Sequence, residues 1–173
     1  TLIAGVVSLL SFVINALVVT TQRFLSLHSG RGKPEEVRRM FATSLAVHVL
    51  MALFFGVIFE LAGFFFFDSL FNIAPDRLAA ANVVFHIVTV NVMLSFVTAP
   101  FRALLIAHEN IVYISIVDVL DAVLRLAVAI ALTYSASDRL ILYSILLCGI
   151  SFFNLIVYIA YEFKKRIRIQ LAV

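Results

Sequence analysis

The amino-acid sequence predicts an all-α membrane protein, a polytopic bundle of five transmembrane helices. The composition is the first observation, because 64% of the 173 residues are apolar, 13% are charged and the mean hydropathy is +1.13. A soluble domain is usually about half apolar and about a quarter charged. The second observation is five apolar runs of about the ~20 residues with which a helix crosses ~30 Å of hydrocarbon. These runs are far longer than the ~10-residue alternating segments of a membrane β-barrel, so strands are not expected.

The five predicted spans follow one another along the whole chain. They cover residues 1–20, 40–67, 81–99, 111–133 and 140–161. The third span can continue past Pro100 to Ala107. Pro75 and Asp76 are expected to open the third helix, because proline fits a first helical turn and the helix dipole stabilises an acidic residue there.

The connection between the first two spans carries the signals of one helix ending and another beginning. Gly30 and Gly32 are expected to end the first helix, because glycine readily adopts the left-handed conformation that follows a helix. Pro34 suits the first turn of the next helix. Glu35 and Glu36 suit its positive end, so the second helix is expected to begin here.

Basic residues are distributed unequally between the two sides of the predicted bundle. One side carries ten of them: Arg23, Arg31, Lys33, Arg38, Arg39, Arg102, Lys164, Lys165, Arg166 and Arg168. The other side carries two, Arg77 and Arg139. Since basic residues concentrate on the cytoplasmic side, the chain is expected to start outside and end in the cytoplasm. We therefore expect a piece of a longer protein whose upstream helix is missing, if that protein begins in the cytoplasm.

The fourth span is unusual because it contains three charged residues, Asp118, Asp121 and Arg125. At ~100° per residue they fall within about 60° of one another on a helix, and Asp121 would lie ~15 Å deep, near the midplane. Asp121 and Arg125 have the spacing at which an acid and a base meet. The second acid must find a partner elsewhere, bind a proton or face water. Such groups usually mark a substrate or ion path. The alternative is a buried ion pair that fixes helix packing.

Uncharged polar residues in the other spans are weaker candidates for the same path. Asn91 would lie near mid-depth in the third span, and Asn15 shares a face of the first span with two serines. Packing between helices through small and polar side chains is the alternative for both. His48 and His86 are candidates for protonation only, and Glu60 is expected to reach water at the outer end of its helix.

Signals of an enzyme or of a metal site are absent from the sequence. The segment GRGK lacks the upstream glycine and the Ser or Thr of a phosphate-binding P-loop, and AHEN at 107–110 lacks the second histidine of a metalloprotease. The single cysteine, Cys148, excludes an internal disulfide and a cysteine metal cluster. We expect no enzymatic activity, no metal and no bound cofactor. The basic segment KKRIR at 164–168 fits anionic membrane lipid better than nucleic acid.

Several stretches together resemble a known family. They are TTQRFLSLHSGRGK (20–33), FATSLAVH (41–48), PDRLAAANVVF (75–85), APFRALLIAHE (99–109) and VLDAVLRL (119–126). In this order they resemble the MATE-like lipopolysaccharide and O-antigen flippases, most closely those of Bacteroides-type bacteria. The resemblance implies that the chain corresponds to helices two to six of the N-terminal lobe, with the first helix and the second lobe missing. Members of the family begin in the cytoplasm, which agrees with the orientation derived from charge.

The resemblance also implies a function. The family exports undecaprenyl-linked oligosaccharides, precursors of lipopolysaccharide and other polysaccharides, across the bacterial inner membrane by alternating access, coupled to H⁺ or Na⁺. An acid and a base usually stand at the positions of Asp121 and Arg125, more often as Glu and Lys. Arg23 matches an arginine at the inner end of the family's second helix, which could position a lipid phosphate.

Two other functions remain open from the sequence. One is a drug or cation antiporter of the same architecture, which the two acids against one arginine in the fourth span favour. The other is a membrane assembly subunit without transport activity, in which Asp118 and Asp121 would both be paired and dry.

Overall fold

A computed structural model describes residues 2–66, 78–134 and 138–171 of the chain. They form five helices: α1 (Leu2–Gly30), α2 (Pro34–Phe66), α3 (Leu78–Ala107), α4 (Ile111–Thr133) and α5 (Arg139–Leu171). These ranges contain no β-strand. The predicted all-α class is therefore confirmed. The helices extend beyond most of the predicted spans, because the polar residues flanking each apolar run continue the same helix.

Four of the five helices are long and apolar enough to cross a membrane. They are α1, α2, α3 and α5, as expected of a multi-pass helical membrane protein. Helix α4 is not among them, because Asp118, Asp121 and Arg125 all lie within its 23 residues. Its crossing of the membrane, and the orientation of the bundle, stay predictions.

The turn between α1 and α2 follows the local signals of the sequence. Helix α1 ends at Gly30, Gly32 adopts a left-handed φ of 66°, and α2 begins at Pro34. The Lys33 ammonium donates a hydrogen bond of 2.6 Å to the Glu36 carboxylate and holds the pKa of that carboxyl below its usual value. The predicted opening of α3 by Pro75 and Asp76 lies outside the described residues.

Helix α3 continues without a break through Pro100 and ends at Ala107. A proline removes one hydrogen bond from a helix interior, and transmembrane helices tolerate this where neighbouring helices surround the site. Pro100 is fully buried, as is Phe96 one turn earlier. Packing against neighbours therefore accounts for the uninterrupted helix.

Helix α3 is the centre of the bundle, since it packs against each of the other four helices. On one side it forms a core with α1 and α2, built on Leu10, Ala52 and Phe96. On the other side it forms a core with α4 and α5, built on Leu105, Ile114, Val117 and Tyr158. In the described ranges, neither α1 nor α2 packs against α4 or α5.

A close approach between α2 and α3 depends on glycine. A Cβ placed on Gly63 would clash with the ring of Phe85 on α3, so Gly63→Leu is expected to destabilise the bundle by about 1–3 kcal/mol through overpacking. Gly149 on α5 is the matched control, because nothing lies within 4 Å of an added Cβ there. Thermal unfolding in detergent should show a lower Tm for Gly63→Leu than for Gly149→Leu. Equal Tm values would contradict the close contact.

Candidate functional site

Polar side chains of α3, α4 and α5 meet at three successive levels between these helices. We call this set the polar ladder. Its members are Asn91 and Arg102 of α3, Asp118, Asp121 and Arg125 of α4, and Ser151, Asn154 and Tyr158 of α5. From the first level described below to the third, residue numbers fall on α3 and α5 and rise on α4, as the antiparallel course of α4 requires. From Ser151 to Tyr158 the ladder covers ~10 Å of helix.

The first level joins α3 to α4 through a forked ion pair. Arg102 Nη1 and Nη2 donate to Asp118 Oδ1 and Oδ2 at 2.8 and 2.7 Å. Two parallel charge-assisted bonds are the strongest arrangement that an arginine and a carboxylate can make. The Arg102 guanidinium also lies near the phenol of Tyr158 on α5, a residue that is only 3% exposed. Asp118, the acid that has no partner in its own helix, is therefore paired with an arginine of α3.

Arg102 was counted with the connection between the third and fourth spans, although the third span could continue past Pro100 to Ala107. Helix α3 does continue to Ala107, so Arg102 lies within it. The sequence contained a usable signal, because Asn91, Ser95 and Thr98 precede Arg102 on one face of a continuous helix. Removing Arg102 from the basic side leaves nine residues there against two, so the charge asymmetry remains.

The second level joins α4 to α5. Arg125 Nε and Nη2 donate to Asp121 Oδ2 and Oδ1 at 2.6 and 3.3 Å, so the two residues contact each other at the spacing of one helical turn. Asn154 Nδ2 of α5 donates to Asp121 Oδ1 at 2.6 Å. Asp121 therefore accepts from two different partners. The contribution of Asn154 was missed from the sequence, because residues 33 positions apart give no local signal.

The third level joins α3 to α5. Ser151 Oγ donates to Asn91 Oδ1 at 2.5 Å. Ser95 and Thr98, on the same face of α3, donate back to carbonyl groups of their own helix. Asn91 thus lies in the ladder together with the three charged residues of α4, as an uncharged member between α3 and α5.

The charged members of the ladder are paired but not enclosed. The side chains of Arg102, Asp118 and Arg125 are 41%, 46% and 46% exposed, and that of Asp121 is 23% exposed. Two carboxylates and two guanidinium groups give this face no net charge. Placing an ionised side chain at the centre of a bilayer costs roughly 2.5–3.5 kcal/mol or more. The open side of the ladder therefore needs water or other polar groups rather than acyl chains.

The two predicted site residues of α1 do not join the ladder. Asn15 and Arg23 are both exposed, and α1 packs against α2 and α3 but not against α4 or α5. A separate polar contact links α1 to α2, where Thr21 Oγ1 lies 2.9 Å from Ser44 Oγ. His48 is buried beside it, with Nδ1 2.7 Å from the Ser44 carbonyl oxygen.

A second acid–base contact joins α2 to α3 away from the ladder. His86 Nδ1 lies 2.8 and 3.0 Å from the two carboxylate oxygens of Glu60. The sequence predicted these residues separately, one as a protonation candidate and one as a water-facing acid. Their contact depends on how α2 and α3 pack, so only the structure reveals it. Among the described residues, no group of three or more His, Cys, Asp or Glu side chains could hold a metal ion.

The described part of the chain has the features of a multi-pass helical membrane protein with a polar, charge-balanced face between three of its helices. Comparison with protein-family models, with curated proteins and with solved structures found no match.

Proposed function

We propose that this chain is part of a flippase that moves lipid-linked oligosaccharide from the inner to the outer leaflet of a bacterial inner membrane. In this proposal α4 crosses the membrane as the fifth span, the chain ends in the cytoplasm, and a second lobe completes the transporter. Alternating access then exposes the ladder to one side of the membrane at a time, with H⁺ or Na⁺ as the coupling ion.

The polar ladder is the observation that carries this proposal. Three of its four charged side chains lie within the predicted fourth span, and all four remain between about a quarter and a half exposed. Paired charges with one open side suit the wall of a water-filled cavity, where a sugar and a charged headgroup can be solvated. The resemblance of five stretches of the sequence to flippases supports the choice of substrate.

The ladder favours a flippase over the other two functions. The antiporter hypothesis depended on a surplus acid in α4, but Arg102 pairs with Asp118 and removes that surplus. The assembly-subunit hypothesis requires Asp118 and Asp121 to be paired and dry, and they are paired but partly exposed.

Transport by the full-length protein in proteoliposomes tests the proposal. A fluorescent lipid-linked oligosaccharide should change leaflets faster than in protein-free vesicles, as measured by its loss of accessibility to a membrane-impermeant quencher. A fluorescent organic cation, assayed in the same vesicles, should not be transported. Transport of the cation alone would favour the antiporter, and transport of neither compound would favour the assembly subunit.

A further inference from the structure

The ion pair between Arg102 and Asp118 has the geometry of an occupied anion site. The guanidinium holds two carboxylate oxygens at 2.8 and 2.7 Å through one fork. A phosphate group presents two oxygens that the same fork accepts. Asp118 therefore occupies the position that one phosphate of a diphosphate headgroup would take.

Arg102 is held in place from behind while its bound carboxylate stays accessible. The guanidinium lies beside Tyr158, and Tyr158 belongs to the buried core of α3, α4 and α5. The neighbours of Arg102 in sequence, Ala103 and Leu104, are also buried. By contrast, Asp118 is 46% exposed. An incoming anion can thus displace the carboxylate without moving the arginine.

Asp118 depends on this arginine more than Asp121 depends on its own partner. Within the described residues, Arg102 supplies both hydrogen bonds that Asp118 accepts, whereas Asp121 accepts from Arg125 and from Asn154. Tyr158 on α5 and Asp121, one turn away on α4, lie near Asp118, and Arg125, two turns away on the same helix, is paired with Asp121. An ionised carboxylate that loses its partner inside a predicted span is costly, so a displaced Asp118 should bind a proton.

We infer that Asp118 is an internal competitor for anions at Arg102, and that a diphosphate headgroup displaces it while the freed carboxylate takes up a proton from water. This inference rests on the proposed function and adds to it a coupling step. Binding of the substrate anion and binding of a proton become linked, because each favours the separated form of the same ion pair. Anion binding should therefore increase, and not decrease, the number of protons bound by the protein.

Calorimetric titration of the full-length protein with geranyl diphosphate tests the linkage. Titrations in two buffers of different ionisation enthalpy give the protons taken up per anion bound. The wild-type protein should bind as much as one proton more per anion than Asp118→Asn does. Comparison with this variant corrects for protonation of the probe itself. Asp118→Asn should bind the probe about tenfold more tightly than wild type at pH 8, because the competing carboxylate is gone.

Two arginine variants and an uncharged probe complete the test. Arg102→Gln should bind at least tenfold more weakly, and Arg102→Lys should lie between it and the wild type, because lysine keeps the charge but loses the fork. Helicity and Tm identify any variant that does not fold. If an arginine variant does not fold, the measurements on Asp118→Asn, which keeps the shape of the side chain, decide the test. Geraniol should not bind to the site.

The possible results separate this inference from the proposed function. If Asp118→Asn binds no more tightly than wild type, or takes up as many protons, the competitor role is wrong, while transport of lipid-linked oligosaccharide can still stand. If wild type transports that lipid but does not bind geranyl diphosphate, the inference fails alone. If it neither binds the probe nor transports the lipid, both fail.

Discussion

In the proposed flippase, replacement of Arg125 by alanine is expected to reduce transport of lipid-linked oligosaccharide at least tenfold while the protein still folds. The Arg125 guanidinium is 46% exposed on the open side of the polar ladder, where it can contact a charged headgroup. A hydrogen bond to a charged group contributes about 1.5–3 kcal/mol, and ~1.4 kcal/mol corresponds to a factor of ten. After the substitution Asp121 keeps the hydrogen bond from Asn154, so local structure should survive. Proteoliposome transport rates, together with helicity, measure both effects.

Two further variants make this result specific to the ladder. Arg125→Lys keeps the positive charge on the open side of the ladder, so it should retain most of the transport. Arg31→Ala removes an exposed arginine from the turn between α1 and α2 and should transport at the wild-type rate. Normal transport by Arg125→Ala would exclude a role for this guanidinium in the path.

Replacement of Tyr158 by alanine is expected to have the largest effect on stability, a loss of about 2–4 kcal/mol. Tyr158 is 3% exposed and lies in the core that holds α3, α4 and α5 together. Truncation of a large buried aromatic side chain leaves a cavity, and such changes cost about 3–5 kcal/mol in soluble proteins. The predicted loss of about 2–4 kcal/mol is smaller than in soluble proteins, because lipid rather than water surrounds much of a membrane protein and the hydrophobic contribution is weaker. Thermal unfolding in detergent should therefore show a clear fall in Tm.

The matched variant Tyr158→Phe separates packing of the ring from the polar interactions of the hydroxyl. It keeps the ring and removes only the hydroxyl near Arg102, so it should lower the free energy of unfolding by at most about 0.5–1.5 kcal/mol, the net value of a typical hydrogen bond. A Tm as low as that of Tyr158→Ala would mean that the hydroxyl, rather than the packing of the ring, dominates.

Local features of the fold were predictable because their causes lie close together in the sequence. The end of α1 at Gly30 and the start of α2 at Pro34 follow from the conformational preferences of glycine and proline at helix ends. The contact between Asp121 and Arg125 follows from the pitch of a helix. In each case the residues that decide the structure are within one or two helical turns of one another.

Contacts between helices were not predictable, because they depend on which helix faces pack together. Arg102 was counted outside the third span, since a proline two residues earlier commonly ends a helix, and burial of Pro100 overrides that tendency. The hydrogen bond from Asn154 to Asp121 requires α5 to return beside α4. That return has no signal in any short stretch of sequence.

The charges of α4 have a consequence for how the protein is made. On insertion scales Asp and Arg each oppose entry into the bilayer by about 2.5–3.5 kcal/mol at a helix centre, whereas each apolar residue favours it by only about 0.3–0.6 kcal/mol. Insertion of helix α4 into the bilayer by itself is therefore unfavourable. Its contacts to other helices come from Arg102, which is synthesised before it and neutralises Asp118, and from Asn154, which is synthesised after it and donates a hydrogen bond to Asp121. We expect α3, α4 and α5 to leave the translocon as one unit rather than one helix at a time.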